Sequence, residues 1–187
     1  MNYCRRIDDP TGRPFMLRLL LLRHAKSDWA DASLADFDRP LNERGDQSAA
    51  RMSAYLKAEG LYPDRILCST ALRTRQTLAR LLPELHRDAE VSLMRALYDD
   101  GELDYIPHIR SRGGNVRTLM VIGHNPATED TARELVIEGR AEDLHALNEK
   151  YPTGALAVIE CPTETWAGLT AQTCRLERFV RPRLLET

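Results

Sequence analysis

The chain has 187 residues, 43% of them hydrophobic and 29% charged, with a formal net charge of -2. That length is ample for one domain with a substantial core and tight for two, and the near-neutral balance provides no basic field for nucleic acid. The longest apolar run, Leu19 to Leu22, is flanked by Arg18 and Arg23 and is too short to span a bilayer or to read as a signal peptide.

Residues 1–15 lack periodicity and carry Asp8, Asp9, Pro10, Gly12 and Pro14, so they read as a flexible extension, leaving 16–187 as a single domain. Residues 17–23 form a first strand, followed by a polar loop over 25–42. Asn42 is placed to cap a helix that runs to about Glu59, with Ala49, Met52, Ser53 and Leu56 on its inner face and Gly60 at its C-terminal end. A second strand spans 65–68. Ser69 or Thr70 caps the helix after it, which reaches Leu82 and stops at Pro83. A third strand is expected at 91–94, a helix over 102–111 despite Pro107, a turn at Gly113-Gly114-Asn115, and a strand over 117–122. A helix from 126 to 138, ended by Gly139, precedes two closing strands at 155–160 and 173–180. Such alternation implies an α/β three-layer sandwich, a mostly parallel central sheet with helices on both faces, in which the last pair has an antiparallel option. Four cysteines, Cys4, Cys68, Cys161 and Cys174, show neither metal-clip spacing nor a disulfide framework and fit a reduced, cytoplasmic setting.

Two segments a hundred residues apart carry most of the chemical information. Leu19-Leu20-Leu21-Leu22-Arg23-His24-Ala25-Lys26-Ser27 and Met120-Val121-Ile122-Gly123-His124-Asn125-Pro126 are both short apolar runs that end at a histidine. In open α/β sheets, ligands bind beyond the carboxyl ends of the strands, so two such strands point to one site with two imidazoles. Arg23 adds a guanidinium fork suited to phosphate, and Arg73, in the first turn of a helix, adds a second cation. A neutral imidazole is a good nucleophile toward phosphorus, and the remaining work is electrostatic stabilisation of the equatorial oxygens. A lone histidine at a strand end is an ordinary structural hydrogen-bonder; the neighbouring arginine and the second histidine set His24 apart. His86, His108 and His145 have no such context. The set requires no metal ligand spacing and no cofactor.

Arg23-His24-Ala25, within Leu22-Arg23-His24-Ala25-Lys26-Ser27-Asp28-Trp29, resembles the opening signature of the histidine phosphatase superfamily, and in particular its small, SixA-like phosphohistidine phosphatase branch. Asp38-Arg39-Pro40-Leu41-Asn42-Glu43-Arg44-Gly45, Ser69-Thr70-Ala71-Leu72-Arg73-Thr74-Arg75-Gln76-Thr77 and Gly123-His124-Asn125-Pro126 resemble further segments of that family, in family order. The resemblance implies a phosphoglycerate mutase-like fold. It also implies His24 as the phosphorylated nucleophile, with Arg23, Arg73 and His124 completing the phosphate pocket. Ser27 and Asn125 fall where supporting phosphate contacts are expected, and Asp99 lies nearest the expected place of a general acid, within Leu97-Tyr98-Asp99-Asp100-Gly101-Glu102, with Asp28, close behind His24, as another option. The segments 25–42 and 83–116 are short, which implies an open mouth without the roof that family mutases carry. The expected activity is that of a metal-independent phosphatase on a phosphohistidine-bearing protein, with a small phosphoester as substrate or a non-catalytic phosphate-binding module as alternatives, and with neither nucleic acid nor membrane as partner; the oligomeric state is left open.

Overall fold

Leu17–Arg23 (β1) runs through the middle of a seven-stranded sheet in the computed structural model, which describes residues 16–101 and 103–185. The extension expected at 1–15, and Glu102, lie outside the described residues. The other strands are Arg65–Ser69 (β2), Glu90–Met94 (β3), Thr118–Gly123 (β4), Val136–Gly139 (β5), Leu156–Cys161 (β6) and Cys174–Val180 (β7). Their order is β3-β2-β4-β1-β6-β7-β5. The β1–β4, β2–β4, β2–β3 and β5–β7 pairs are parallel, while β1–β6 and β6–β7 are antiparallel.

Both faces of this sheet are covered, which explains an unbroken leucine run in place of an alternating one. Leu19 and Leu21 pack on one side with Ile106 and Ile109 of Ile106–Arg112 (α4), Ala132 and Leu135 of Ala127–Leu135 (α5), and Leu147 of Ala141–Glu149 (α6). Leu20 and Leu22 pack on the other with Met52 and Leu56 of Glu43–Ala58 (α1) and Leu78 and Leu81 of Leu72–Leu81 (α2). A short helix, Ala96–Asp99 (α3), follows β3. The chain therefore forms the expected α/β sandwich. After β1 it leaves toward the face of α1, and after β4 toward the opposite face, that of α5. The gap between these two adjacent strands is a topological switch point. Among the described residues no helix is long and apolar enough to cross a membrane.

Four local expectations are corrected. The helix expected over 126–138 stops at Leu135, because Val136, Ile137 and Glu138 turn extended and pair with β7 at the sheet edge. Helix α6 had no counterpart in the sequence reading; it buries only Ala146 and Leu147, too few positions to make a clear stripe. The helix expected over 102–111 begins at Ile106, where the Asp104 side chain accepts from the Ile106 N–H and Pro107 occupies the first turn, a position that needs no amide donor. Neither Ser69 nor Thr70 caps α2. Its N-cap is Ala71, and Ser69 Oγ accepts from the Ala71 N–H instead.

Candidate active site

Register alone brings the two histidines together. Arg23 of β1 pairs with Gly123 of β4, and the next step up the ladder is the His24 N–H donating to the Gly123 carbonyl at 3.0 Å. His24 and His124 thus leave neighbouring parallel strands at the same level, and their ring centroids are 5.1 Å apart. Gly123 is required here, since a Cβ would lie 2.5 Å from the Tyr105 ring. The Tyr105 hydroxyl accepts from the His124 N–H and donates to the Leu97 carbonyl, locking the turn.

The His24 ring is 7% exposed, and its Nδ1 lies 2.7 Å from the Ala25 carbonyl. A carbonyl has no proton to give, so Nδ1 carries the hydrogen and Nε2 keeps its lone pair. Burial pushes the His24 pKa well below the usual histidine range, and His124, Arg73 and Arg23 add to that push against the opposing Ala25 bond. His124 is pushed down to about 3 by burial and then by Arg73. Its Nε2 is 2.8 Å from Ser69 Oγ, while its Nδ1 is buried without a partner. Two neutral imidazoles therefore face two guanidiniums.

Arg23 donates through Nη1 to the Tyr151 carbonyl at 2.7 Å, and its Nε is buried without a partner. Asn125 reaches the same carbonyl through Nδ2 at 3.2 Å, bonds Glu129 at 2.7 Å, and leaves Oδ1 unpartnered. Three orphaned polar atoms, on Arg23, His124 and Asn125, thus collect at one end of the sheet. Buried groups of this kind are normally satisfied, and a bound oxyanion or water would satisfy them.

Arg73 projects from the first turn of α2 and is 7% exposed. Its guanidinium grips Asp36, donating to the backbone carbonyl through Nη1 and to Oδ2 through Nη2 at 2.9 Å. The Tyr98 hydroxyl donates to the same Oδ2 at 3.1 Å, and the Tyr98 ring meets His124 edge-on at 5.5 Å.

The loop after His24 is anchored by residues that the sequence marks plainly. Asn42 accepts from the Gly45 N–H as the expected cap, and the Gln76 side chain accepts from the Leu41 N–H at 2.6 Å. Thr77 Oγ1 accepts from the Ala25 N–H at 3.1 Å and donates to the Arg73 carbonyl, coupling the turn after His24 to the Arg73 helix. A Cβ on Gly45 would lie 2.0 Å from the Lys26 carbonyl oxygen, so only glycine lets α1 approach this loop.

The structure brings His24, Arg23, Arg73 and His124 together, with Asn125 beside Arg23. Ser27 is buried nearby, and its hydroxyl accepts from Trp29 Nε1 at 3.1 Å. Asp99 is engaged elsewhere. Its carboxylate pairs with Arg95 at 2.9 Å on an exposed surface, and neighbouring Asp100 bonds His108. Two other carboxylates reach the site, Glu129 through Asn125 and Asp36 through Arg73 and Tyr98, and neither was singled out by the sequence. Ser69 and Tyr105 were missed as the partners that orient His124. Ser69 lay inside a recognised segment, whereas Tyr105 carried no local signal.

The family model of the histidine phosphatase superfamily, branch 1, matches residues 19–100. An uncharacterized protein of Mycobacterium tuberculosis is 38% identical over 164 residues, which is 87% of this chain and 100% of the relative. Among solved structures, one named as the phosphohistidine phosphatase SixA of Nakamurella multipartitia is 27% identical with a TM-score of 0.73, covering 91% of this chain and 99% of that one. Another of the same designation, from Agrobacterium tumefaciens, is 31% identical with a TM-score of 0.72, covering 90% and 99%.

Proposed function

This chain belongs to the histidine phosphatase superfamily, and on that premise we propose that it is a metal-independent phosphatase working through a phosphohistidine on His24, with a phosphohistidine-bearing protein as the favoured substrate. The observation that carries the reading is the 2.7 Å contact of His24 Nδ1 with the Ala25 carbonyl, which leaves the lone pair on Nε2 of a ring within the fields of Arg73 and Arg23. In this reading residues 16–187 are one histidine phosphatase domain.

Nε2 attacks phosphorus, and the bond from phosphorus to the leaving group breaks with its electron pair. Arg23, Arg73 and His124 hold the equatorial oxygens, whose charge is met by donors already in place. Ser69 Oγ accepts from the Ala71 N–H, and in this reading it gives its proton to His124 Nε2, which puts the ring hydrogen of His124 on Nδ1, the nitrogen without a partner. Asn125 supports Arg23 through their shared carbonyl, and Ser27 borders the same loop. Water then attacks phosphorus on His24, releasing phosphate and returning a neutral imidazole.

The substrate preference follows from the leaving group. An alkoxide needs a proton in the transition state, whereas the imidazole of a phosphohistidine leaves more readily. Asp99 is occupied by Arg95, and both contacts to Asp36 Oδ2 come from donors, which fits a clamp on Arg73 better than a free acid. The designation of the two SixA structures supports the same choice. A small phosphoester is the second reading, favoured by the Asp36 carboxylate held against Arg73 at the site.

Phosphate release from a phosphohistidine protein and from para-nitrophenyl phosphate, with EDTA present, tests this for the wild type and His24→Ala. Turnover in EDTA that disappears in His24→Ala is expected, with the protein substrate preferred. Binding of phosphate without turnover of either substrate by folded wild type would overturn the enzymatic reading in favour of a phosphate-binding module.

A further inference from the structure

Six cationic side chains, Lys26, Arg44, Arg51, Lys150, Arg181 and Arg183, line a cavity of about 300 Å³ in which Glu149 is the one lining carboxylate. None of His24, Arg23, Arg73 and His124 lines it. In a chain of net charge -2, this is a concentrated positive field.

Five of the six cations lack a carboxylate partner, although Arg75 and Arg110, outside the cavity, also bond only backbone carbonyls. Other guanidiniums meet carboxylates, as in Arg18–Glu177, Arg65–Glu90, Arg80–Asp46 and Arg178–Glu59. Among the described residues, Lys26, Arg44, Arg51, Lys150 and Arg183 make no ion pair, and Arg181 approaches Glu149 only to 4.0 Å. The Nε atoms of Arg51 and Arg181 are buried without a hydrogen-bond partner. Arg44, Ser48 and Arg51 share one face of α1, and Arg44 stands in its first turn, where the helix dipole disfavours a cation. Gathering like charges costs stability, and a bound anion would offset that cost.

The cavity adjoins the reaction centre through a shared loop. Tyr151 turns its carbonyl to Arg23, while its neighbours Lys150, Pro152 and Thr153 line the cavity. The Gly154 N–H donates to the His24 carbonyl, and Lys26 is two residues beyond His24. Guanidinium forks with the Thr153 hydroxyl at the wall match phosphoryl oxygens, and six cations exceed what one phosphoryl group neutralises.

We propose that this cavity is a second anion site, beside the reaction centre and separate from it, that takes the phosphoryl groups of a small polyanion. Two sources share that chemistry: a second phosphoryl on the molecule being dephosphorylated, or a separate phosphorylated metabolite.

The test is calorimetric titration with inorganic tripolyphosphate, a readout independent of turnover. It compares the wild type, Arg44→Ala/Lys150→Ala/Arg183→Ala, whose three side chains are all exposed, and Arg23→Ala. Binding is expected to weaken by about tenfold or more in the triple variant, the scale set by lost charge-assisted contacts, and to persist in Arg23→Ala. Should the triple variant fail to fold, the single charge reversal Arg183→Glu serves in its place. Equal binding by the wild type and the cavity variant, or loss confined to Arg23→Ala, would overturn the proposal. The sources separate kinetically. A lower KM for a bisphosphate than for a monophosphate that vanishes in the triple variant assigns the site to substrate; a change in monophosphate turnover on adding tripolyphosphate assigns it to a separate metabolite. A raised KM for a phosphohistidine protein with no tripolyphosphate binding by the wild type would make the cavity a protein-docking surface and sink the small-anion assignment.

Discussion

Acidification should unfold this protein through its own active site. Burial holds His124 neutral, with its pKa at about 3 against 6.5 in the unfolded chain. A folded pKa below the unfolded one means that the unfolded state binds the proton first. The stability associated with a neutral His124 is therefore fully present above pH 6.5 and is lost progressively as pH falls toward 3. At pH 5 the unfolded chain is protonated and the folded ring is not, a difference of 1.5 pH units worth ~2 kcal/mol. His24 shifts in the same direction and adds to the loss. Carboxylates elsewhere also titrate, so the quantity to measure is a double difference. Urea unfolding at pH 7 and pH 5 is compared for the wild type and His124→Gln, whose amide can still meet the Ser69 hydroxyl but does not ionise. The drop from pH 7 to pH 5 should be smaller in the variant by ~2 kcal/mol. Identical pH dependence in the two proteins would refute the claim that a buried neutral imidazole faces Arg73.

Further outcomes follow from the same contacts. Gly45→Ala drives a methyl into the Lys26 carbonyl, where backbone cannot yield; a cost at or above the upper end of the usual ~1–3 kcal/mol for overpacking is expected as a lowered urea midpoint. Ser69→Ala leaves His124 Nε2 without its partner; kcat/KM should fall by roughly tenfold while far-UV circular dichroism is unchanged. Arg73→Lys keeps the charge but loses the fork that reaches both Asp36 and the site; a loss of about 10²–10³ in kcat is expected in steady-state assays. Asp99→Asn should leave kcat/KM unchanged and Asp36→Asn should lower it, and the reverse order would restore Asp99 as the general acid.

How much of this was legible in the sequence depends on the range of each signal. Strands β1, β2 and β4 are short apolar runs bounded by polar or glycine residues, and their local pattern suffices. The Asn42 cap and the left-handed Gly60, at φ +64°, are equally local. Val136-Ile137 could extend a helix or form a strand, and only the distant β7 decides. The site shows the same division. His24, His124, Arg23 and Arg73 are legible because each stands where an element starts or ends. Asp36, Ser69 and Tyr105 act through partners 37, 55 and 19 residues away, so no local pattern singles them out.

The arrangement also explains why the two histidines behave differently although register makes them equivalent. Each needs a partner for one ring nitrogen, and the partner's chemistry assigns the hydrogen. The Ala25 carbonyl can only accept, so it draws the hydrogen of His24 to Nδ1 and frees Nε2 as a lone pair. In the proposed assignment the Ser69 hydroxyl donates, which leaves the hydrogen of His124 on the opposite nitrogen. In the proposed function, one ring is thereby prepared to attack phosphorus and the other to hold an oxygen. Reversing donor and acceptor at either partner would move that ring's hydrogen to its other nitrogen, which is why Ser69 and the turn at Ala25 matter as much to the chemistry as the imidazoles themselves.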